Sequence, residues 1–198
     1  MRIMCDWDLC VAPTDKLWAK WLGDIDGNYI ELPEDKTAHY DLSKYYPNFE
    51  KDHGIKPHSY WDNPHLYDTM GSVPGAAAVL YERGAWGDKM SVGSVTKGGH
   101  ISSKFRHVKR TLNSFDFETR GSGNGFFATK EKYLLPCDVA IDDRAENLLM
   151  FPDSVLKIYL NTIYMDDSLE ELKTKANVIV TSIEHPWMNI RSVLRSRF

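Results

Sequence analysis

The sequence predicts an α/β fold: a Rossmann-like core built on a parallel sheet, with a small, mainly helical cap inserted after the first strand. Three observations predict it. Short apolar runs end in carboxylates or hydroxyls, as buried parallel strands do when their carboxyl ends open into a crevice. Helix-like stretches separate these runs. Between residues 14 and 74 the alternation stops and the chain becomes rich in Trp, Tyr, His, Asp and Pro.

Taken in order, Ile3-Met4-Cys5 is a buried strand whose end delivers Asp6 to the surface. The next segment has one clear helix, over residues 15–22, and turn signals at Asp26-Gly27-Asn28 and Tyr46-Pro47-Asn48. Its aromatics, Tyr40, Tyr45, Tyr46, Tyr60, Trp61 and Tyr67, are too irregular for a repeat. Residues 14–74 are therefore assigned to the cap, and residues 1–13 with 75–198 to the core. The core resumes with a helix over 75–83 and a strand through Met90-Ser91-Val92-Gly93-Ser94-Val95. A helix over 102–112 follows, then the strand Val139-Ala140-Ile141, a further strand over 156–160, and Val178-Ile179-Val180-Thr181. Gly121-Ser122-Gly123-Asn124-Gly125 lacks the Lys-Ser/Thr ending of a P-loop and reads as a flexible turn.

A length of 198 residues suits one domain with a modest insertion, and 42% hydrophobic with 26% charged residues is ordinary for a soluble globular chain. The formal charge of −4 gives no general attraction to nucleic acid or anionic membranes, so any phosphate binding has to be local. No apolar run is long enough for a membrane span and no signal peptide is recognisable, so a cytoplasmic location is expected. Cys5, Cys10 and Cys137 form an odd set without zinc-type spacing, and read as reduced, mostly buried thiols.

Three constellations carry chemistry. In Asp6-Trp7-Asp8, extended backbone puts both carboxylates on one face, where one can attack phosphorus while the other handles protons. An isolated Asp-x-Asp also suits a strand that simply ends in solvated acids. Asp142-Asp143 follows a second buried run and would bring another acidic pair to the same edge. Carboxylates gathered there repel one another unless a cation joins them, and an all-oxygen cluster suits Mg2+. Lys104, early in a basic helix, could neutralise a nucleophilic carboxylate and a transferring phosphoryl group. Ser94 and Thr96 offer hydroxyl donors nearby.

The order Asp-x-Asp, a strand ending in Ser or Thr, a helical Lys, then Asp-Asp after another strand resembles the four motifs of the haloacid dehalogenase superfamily. Within it, Ser103-Lys104-Phe105-Arg106-His107-Val108-Lys109 and Lys130-Glu131-Lys132-Tyr133, leading through Cys137-Asp138-Val139-Ala140-Ile141 into Asp142-Asp143-Arg144, resemble the 5'(3')-deoxyribonucleotidases. Tyr60-Trp61 and Val73-Pro74-Gly75-Ala76 are similar to that family as well. The resemblance implies Asp6 as nucleophile, Asp8 as general acid and base, and Lys104 as the motif lysine. Ser94-Val95-Thr96 becomes the phosphate-binding stretch, with Ser94 preferred to Thr96 as the motif hydroxyl, and Lys132 a substrate contact. Mg2+ would be held by Asp6, by the Asp8 carbonyl and by Asp143 with Asp142 beside it. One departure is notable: Leu9 stands where the family usually has Gly after its second aspartate, and Cys10-Val11-Ala12-Pro13 replaces the usual continuation.

The implied reaction is Mg2+-dependent hydrolysis of a small phosphomonoester, a nucleoside monophosphate, through an aspartyl-phosphate. Another small phosphomonoester, a nucleic-acid 3'-phosphate end, or an idle nucleotide-binding role are the alternatives. A homodimer is left open, and neither a membrane nor a nucleic-acid partner is expected. The basic helix is read as a solvated face, the histidines at 39, 53, 58 and 65 as surface or cap-packing residues, and Trp18, Trp21, Tyr60 and Trp61 as cap core.

Overall fold

The computed structural model describes residues 1–33 and 36–198. Six parallel strands form one sheet: β1 (Arg2–Cys5), β2 (Lys89–Ser94), β3 (Gly125–Ala128), β4 (Val139–Asp142), β5 (Leu156–Tyr159) and β6 (Val178–Val180). Their order is β3-β2-β1-β4-β5-β6. The chain thus builds outward from β1 through β2 to β3, then returns to the other side of β1 to lay down β4, β5 and β6. That reversal places the topological switch point between β1 and β4, where open α/β sheets form their crevice.

Period-two alternation explains why the strands read as continuous apolar runs, since both faces are covered. Ile3, Cys5, Val139, Ile141 and Ile158 enter the larger core with Leu80 of α3 (Ala76–Ala85), Val108 of α4 (Ile101–Thr111) and Trp187 of α7 (Pro186–Arg197). Met4, Ala140 and Tyr159 face the other way, against Leu148 of α5 (Ala145–Leu149) and Leu172 of α6 (Leu169–Lys173).

Two elements differ from expectation. Gly121-Ser122-Gly123-Asn124-Gly125, expected as a turn, runs directly into β3, an edge strand paired through Ser91↔Gly125 to Ser94↔Ala128. Asn124 fixes the junction by accepting from the Met90 amide at 2.8 Å. Being half-buried and opened by glycine, β3 carries none of the apolar continuity that marks the central strands. Helix α7 lies outside the expected elements, although Pro186 at its first turn and Trp187, Ile190 and Leu194 on its buried face are ordinary helix signals.

Between β1 and α3 lie α1 (Thr14–Asp26), α2 (Phe49–His53) and short 3-10 turns at Leu42–Tyr45 and Pro57–Asp62. Helix α1 outruns its expected end and stops at Gly27, whose φ of 75° permits the left-handed cap. The aromatics of this segment form a chain of ring contacts, Trp18 with Trp61, Trp61 with Tyr60, Tyr60 with Trp21 and Trp21 with Phe49, at 5.1 to 5.8 Å. They belong to the same apolar cluster as the sheet. Among the described residues no helix is long and apolar enough to cross a membrane.

The turn after β1 is tightly determined. The Trp7 carbonyl accepts from the amides of both Val11 and Ala12 at 2.9 Å, and the Leu9 amide returns to the Ala12 carbonyl at 2.9 Å. This closes the turn only with Leu9 at φ 61°, the left-handed region that disfavours any residue with a Cβ. The departure from Gly in the sequence therefore falls on a backbone position that wants Gly. Leu9 is nonetheless buried, so its apolar contacts oppose the strain.

A comparison of two variants separates those terms. Leu9→Ala and Leu9→Gly both remove the buried side chain, but only glycine relieves the backbone. Leu9→Gly is expected to be the more stable by about 0.5–1 kcal/mol in urea denaturation, the reverse of the usual order in helices and strands. An alanine variant as stable as the glycine variant would show that the turn carries no strain.

Candidate active site

The carboxyl ends of β1, β2 and β4 meet at the switch point and carry Asp6, Ser94, Asp142 and Asp143 into one cluster. The Asp6 amide donates to the Ile141 carbonyl at 2.9 Å, which holds the start of the β1 turn against β4. Two lysines enter from opposite sides. Lys132, in a short turn between β3 and β4, places its ammonium 2.9 Å from Asp6 Oδ1 and 2.7 Å from Asp142 Oδ2. Lys104 of α4 lies 2.6 Å from Asp8 Oδ2 and donates to Ser94 Oγ at 3.0 Å and to the Val95 carbonyl at 2.8 Å.

Lys104 is expected from the sequence to neutralise the candidate nucleophile Asp6, but the lysine in contact with Asp6 is Lys132, and Lys104 contacts Asp8. Helix α4 follows β2, so its lysine arrives over Ser94 and meets Asp8, whereas the turn before β4 lies over the Asp6 and Asp142 carboxylates. The basic helix also divides: Lys104 and His107 are fully buried, while Arg106 and Lys109 face solvent and pair with Asp68 and Glu118. Ser94 is the hydroxyl that reaches the cluster. Thr96 Oγ1 is buried with no hydrogen-bond partner among the described residues, and Thr96 lines the pocket beside it.

Asp142 and Asp143 have different surroundings. Asp142 accepts from Lys132, from the Arg144 amide at 2.9 Å and from Asn147 Nδ2 at 2.9 Å, which fills its oxygens. Asp143 is 2% exposed and receives the Cys10 thiol at 3.7 Å on Oδ1, while Oδ2 has no partner among the described residues. A buried carboxylate oxygen without a partner is costly unless something positive reaches it. Atoms of Asp6, Asp143 and Cys10 that could ligate a cation lie within 4.8 Å of one another. Asp6 and Asp143 thus fit a divalent cation, and Asp143 is the member of its pair with coordinating capacity left.

The electrostatics say the same. Burial raises the Asp6 carboxyl to about 6, against the pull of Lys132 and with added repulsion from Asp142 and Asp8. Burial, then Asp6 and Asp142, lift Asp143 well above the usual carboxylate range. Burial pulls Lys132 down, but Asp6 and Asp142 outweigh it and leave the ammonium held more tightly than usual. Lys132 thus contacts two of the three buried carboxylates, Asp6 and Asp142.

Several functional neighbours gave no sequence signal. Tyr67 donates to Asp8 Oδ1 at 2.7 Å, and its ring lies 4.9 Å from the Lys104 ammonium. His107 accepts from Trp7 Nε1 at 2.9 Å and its other nitrogen meets the Gly71 carbonyl at 3.0 Å, so the imidazole is a fixed neutral tautomer; burial lowers it to about 4. It anchors the residue between the two aspartates. Two pockets flank Asp8 and share Val95. One, of about 280 Å³, is lined by Asp6, Tyr40, Lys130, Lys132 and Arg144. The other, of about 200 Å³, is lined by Trp61, Tyr67, Thr96, His100 and Lys104. Trp61, read as cap core, therefore also borders the site. The histidines at 53, 58 and 65 pair singly with Asp26, Asp41 and Asp68 and do not converge.

No protein-family model matches the chain, and no curated protein matches it by sequence. Solved structures do match. A protein of Thermotoga maritima assigned as a beta-phosphoglucomutase aligns over 100% of this chain and 99% of its own, with a TM-score of 0.60 and 12% identity. A haloacid dehalogenase-like hydrolase of Burkholderia xenovorans aligns over 98% and 96%, with a TM-score of 0.55 and 12% identity. A haloacid dehalogenase family hydrolase of Deinococcus radiodurans, solved with bound phosphate and sodium, aligns over 98% and 95%, with a TM-score of 0.52 and 15% identity. The shared property at these identities is the fold alone, a parallel α/β sheet covered by helices on both faces.

The lysine pairings predict unequal costs. Lys132→Met strands Asp6 and Asp142, whose side chains are 10% and 0% exposed, and is expected to cost about 3–5 kcal/mol at neutral pH. Lys104→Met strands Asp8, which is 20% exposed, and should cost less. The Lys132→Met deficit should shrink as the pH falls toward about 6, because Asp6, whose raised carboxyl Lys132 otherwise lowers, then binds a proton in the folded state. Denaturant melts across that range check both the ranking and the sign, and a deficit that grew on acidification would refute the assignment.

Proposed function

We propose that this protein is a Mg2+-dependent phosphomonoesterase that transfers a phosphoryl group to Asp6 and acts on nucleoside monophosphates, deoxyribonucleotides foremost. The observation that carries the reading is the pairing of Asp6 with Asp8 two residues on, each met by its own lysine, opposite the unpartnered oxygen of Asp143. Lys132 keeps Asp6 ionised despite its burial, as a nucleophile requires. Ser94 and Lys104 are donors poised where phosphoryl oxygens would sit beside Asp8.

In the resting arrangement Tyr67, Ser94 and Lys104 all point at the Asp8 carboxylate. An arriving phosphoryl group competes for Ser94 and Lys104, which loosens their hold on Asp8 and frees its carboxyl to exchange protons with the substrate. Asp8 then protonates the departing alkoxide, and afterwards takes a proton from the water that hydrolyses the aspartyl-phosphate. Asp6, Asp143 and the Asp8 main-chain carbonyl would hold the divalent cation, with Asp142 beside them orienting Lys132. When bound, that cation offsets the crowded negative charge and polarises a phosphoryl oxygen.

The leaving group is assigned to the pocket lined by Trp61, Tyr67 and His100, whose aromatic walls suit a stacked base. Residues 14–74, which contribute Trp61 and Tyr67, act as the cap that excludes bulk water and selects the leaving group.

Two outcomes are expected. In the presence of Mg2+ the protein hydrolyses deoxyribonucleoside monophosphates faster than sugar phosphates or 3'-phosphorylated oligonucleotides, and Asp6→Asn loses about 10³-fold or more of kcat. Acid quenching followed by peptide mass spectrometry should find phosphate on Asp6. Activity confined to oligonucleotide ends would sink the mononucleotide claim, and full turnover in Asp6→Asn would remove the covalent route.

The metal reading has a separate test that needs no substrate. Carboxyls raised in the folded state bind more protons than in the unfolded chain, so the cluster weakens the metal-free fold progressively as pH rises toward and past about 6. Mg2+ should therefore raise Tm clearly above that pH and much less below it, where protons compete for the same oxygens. Asp143→Asn should abolish the Mg2+ response. An equal Tm gain in wild type and Asp143→Asn would dismiss the site.

A further inference from the structure

Cys10 has no part in the reaction proposed above, yet it stands in the cation cluster. Its side chain is fully buried, and its Sγ forms with oxygens of Asp6 and Asp143 a group whose members lie within 4.8 Å of one another. The thiol donates to Asp143 Oδ1 at 3.7 Å, while Oδ2 of the same buried carboxylate has no partner. Nor is the position loose: the Cys10 carbonyl accepts from Trp187 Nε1 of α7 at 2.8 Å, and the neighbouring Val11 is bonded to Trp7 and Val73. Cys5 is turned elsewhere, with its thiol on the Asp6 carbonyl at 3.0 Å. The Cys10 sulfur and Asp6 carboxylate at the β1 turn, with the Asp143 carboxylate after β4, are a mixed donor set, and such a set does not favour a hard cation alone.

We propose that Asp6, Cys10 and Asp143 form a binding site for a thiophilic divalent cation, zinc or cadmium, whose occupancy excludes Mg2+. Sulfur selects softer cations, whereas carboxylate and carbonyl oxygens suit Mg2+. Ligand atoms around a tetrahedral zinc are roughly 3.5 Å apart, so the three groups need draw together by only about an ångström. On binding, the Cys10 S–H bond breaks, the proton leaves to solvent and the sulfur bonds the metal, with no change of oxidation state. Both kinds of cation need the same Asp6 and Asp143 oxygens, so they compete. A cation held through sulfur takes the place of Mg2+ on Asp6 and Asp143, and the Mg2+-dependent hydrolysis stops.

Cadmium provides the test, because a cadmium–thiolate bond has an ultraviolet charge-transfer absorption that carboxylates lack. Titration of the metal-free protein with Cd2+ should develop this band with a stoichiometry of one, and excess Mg2+ should shift the midpoint to higher Cd2+. Cys10→Ala should lose the band and bind Cd2+ roughly tenfold or more weakly. The double variant Cys5→Ala/Cys137→Ala, which keeps only Cys10, should retain it. That variant decides the matter even where Cys10→Ala fails to fold. No band in the wild type, or a band that survives in Cys10→Ala and vanishes in the double variant, would overturn the proposal. A cadmium band in a protein that hydrolyses no phosphomonoester would defeat the proposed reaction and leave this site standing.

Discussion

The constraint on which the site depends is the crowding of negative charge at the switch point of the sheet. Parallel order brings the ends of β1 and β4 side by side, and each ends in aspartate. Asp6, Asp142 and Asp143 are all buried there, and Lys132 is the one internal cation in contact with Asp6 and Asp142. Such an arrangement opposes folding unless the ammonium and the hydrogen bonds on Asp142 offset the repulsion. They do so for Asp142 completely, for Asp6 in part, and for Asp143 scarcely at all. The unequal compensation is itself informative, because it leaves uncompensated charge on the two carboxylates that a cation can reach together.

A second constraint holds the first in place. Asp6 and Asp8 keep their relative positions because the turn between Trp7 and Ala12 is closed by main-chain bonds and fixed from three directions. His107 of α4 holds Trp7, Val73 ahead of α3 holds Val11, and Trp187 of α7 holds Cys10. Leu9 accepts a left-handed backbone in consequence. A turn that tolerates such a conformation in a branched residue is over-determined by its surroundings, and over-determination of this kind is the condition for preorganised chemistry.

Much of the fold was legible in the sequence because the central strands are buried on both faces and so spell apolar runs. Ile3-Met4-Cys5 and Val139-Ala140-Ile141 needed no tertiary information to be read, and the carboxylates that follow them marked the crevice. The edge strand β3 was illegible because only part of it is covered, and its glycines spoke for a turn. The acids of the site could be named from order along the chain, but the lysines could not be assigned. Lys104 sits on a helix, where a lysine is easily seen as purposeful, whereas Lys132 sits in a short turn whose position over Asp6 is set by the connection from β3 to β4. Tyr67, His107 and Cys10 reach the site through contacts more than fifty residues away in sequence or through the fold of one turn, and no spacing encodes either.

The two lysines are best understood through the environments of their partners. Asp6 lies deeper than Asp8, so Lys132 answers a desolvation problem: burial raises the Asp6 carboxyl, and the ammonium beside it opposes that rise. Lys104 answers a problem of position, since Asp8 is more exposed and is also held by Tyr67 and Ser94. In the proposed reaction Asp6 stays ionised throughout while Asp8 gains and loses a proton. A deep ion pair to a lysine shared with Asp142 suits the first, and a displaceable set of donors suits the second. Two identical side chains two residues apart are thus driven to different behaviour by what reaches them from β4 on one side and α4 on the other.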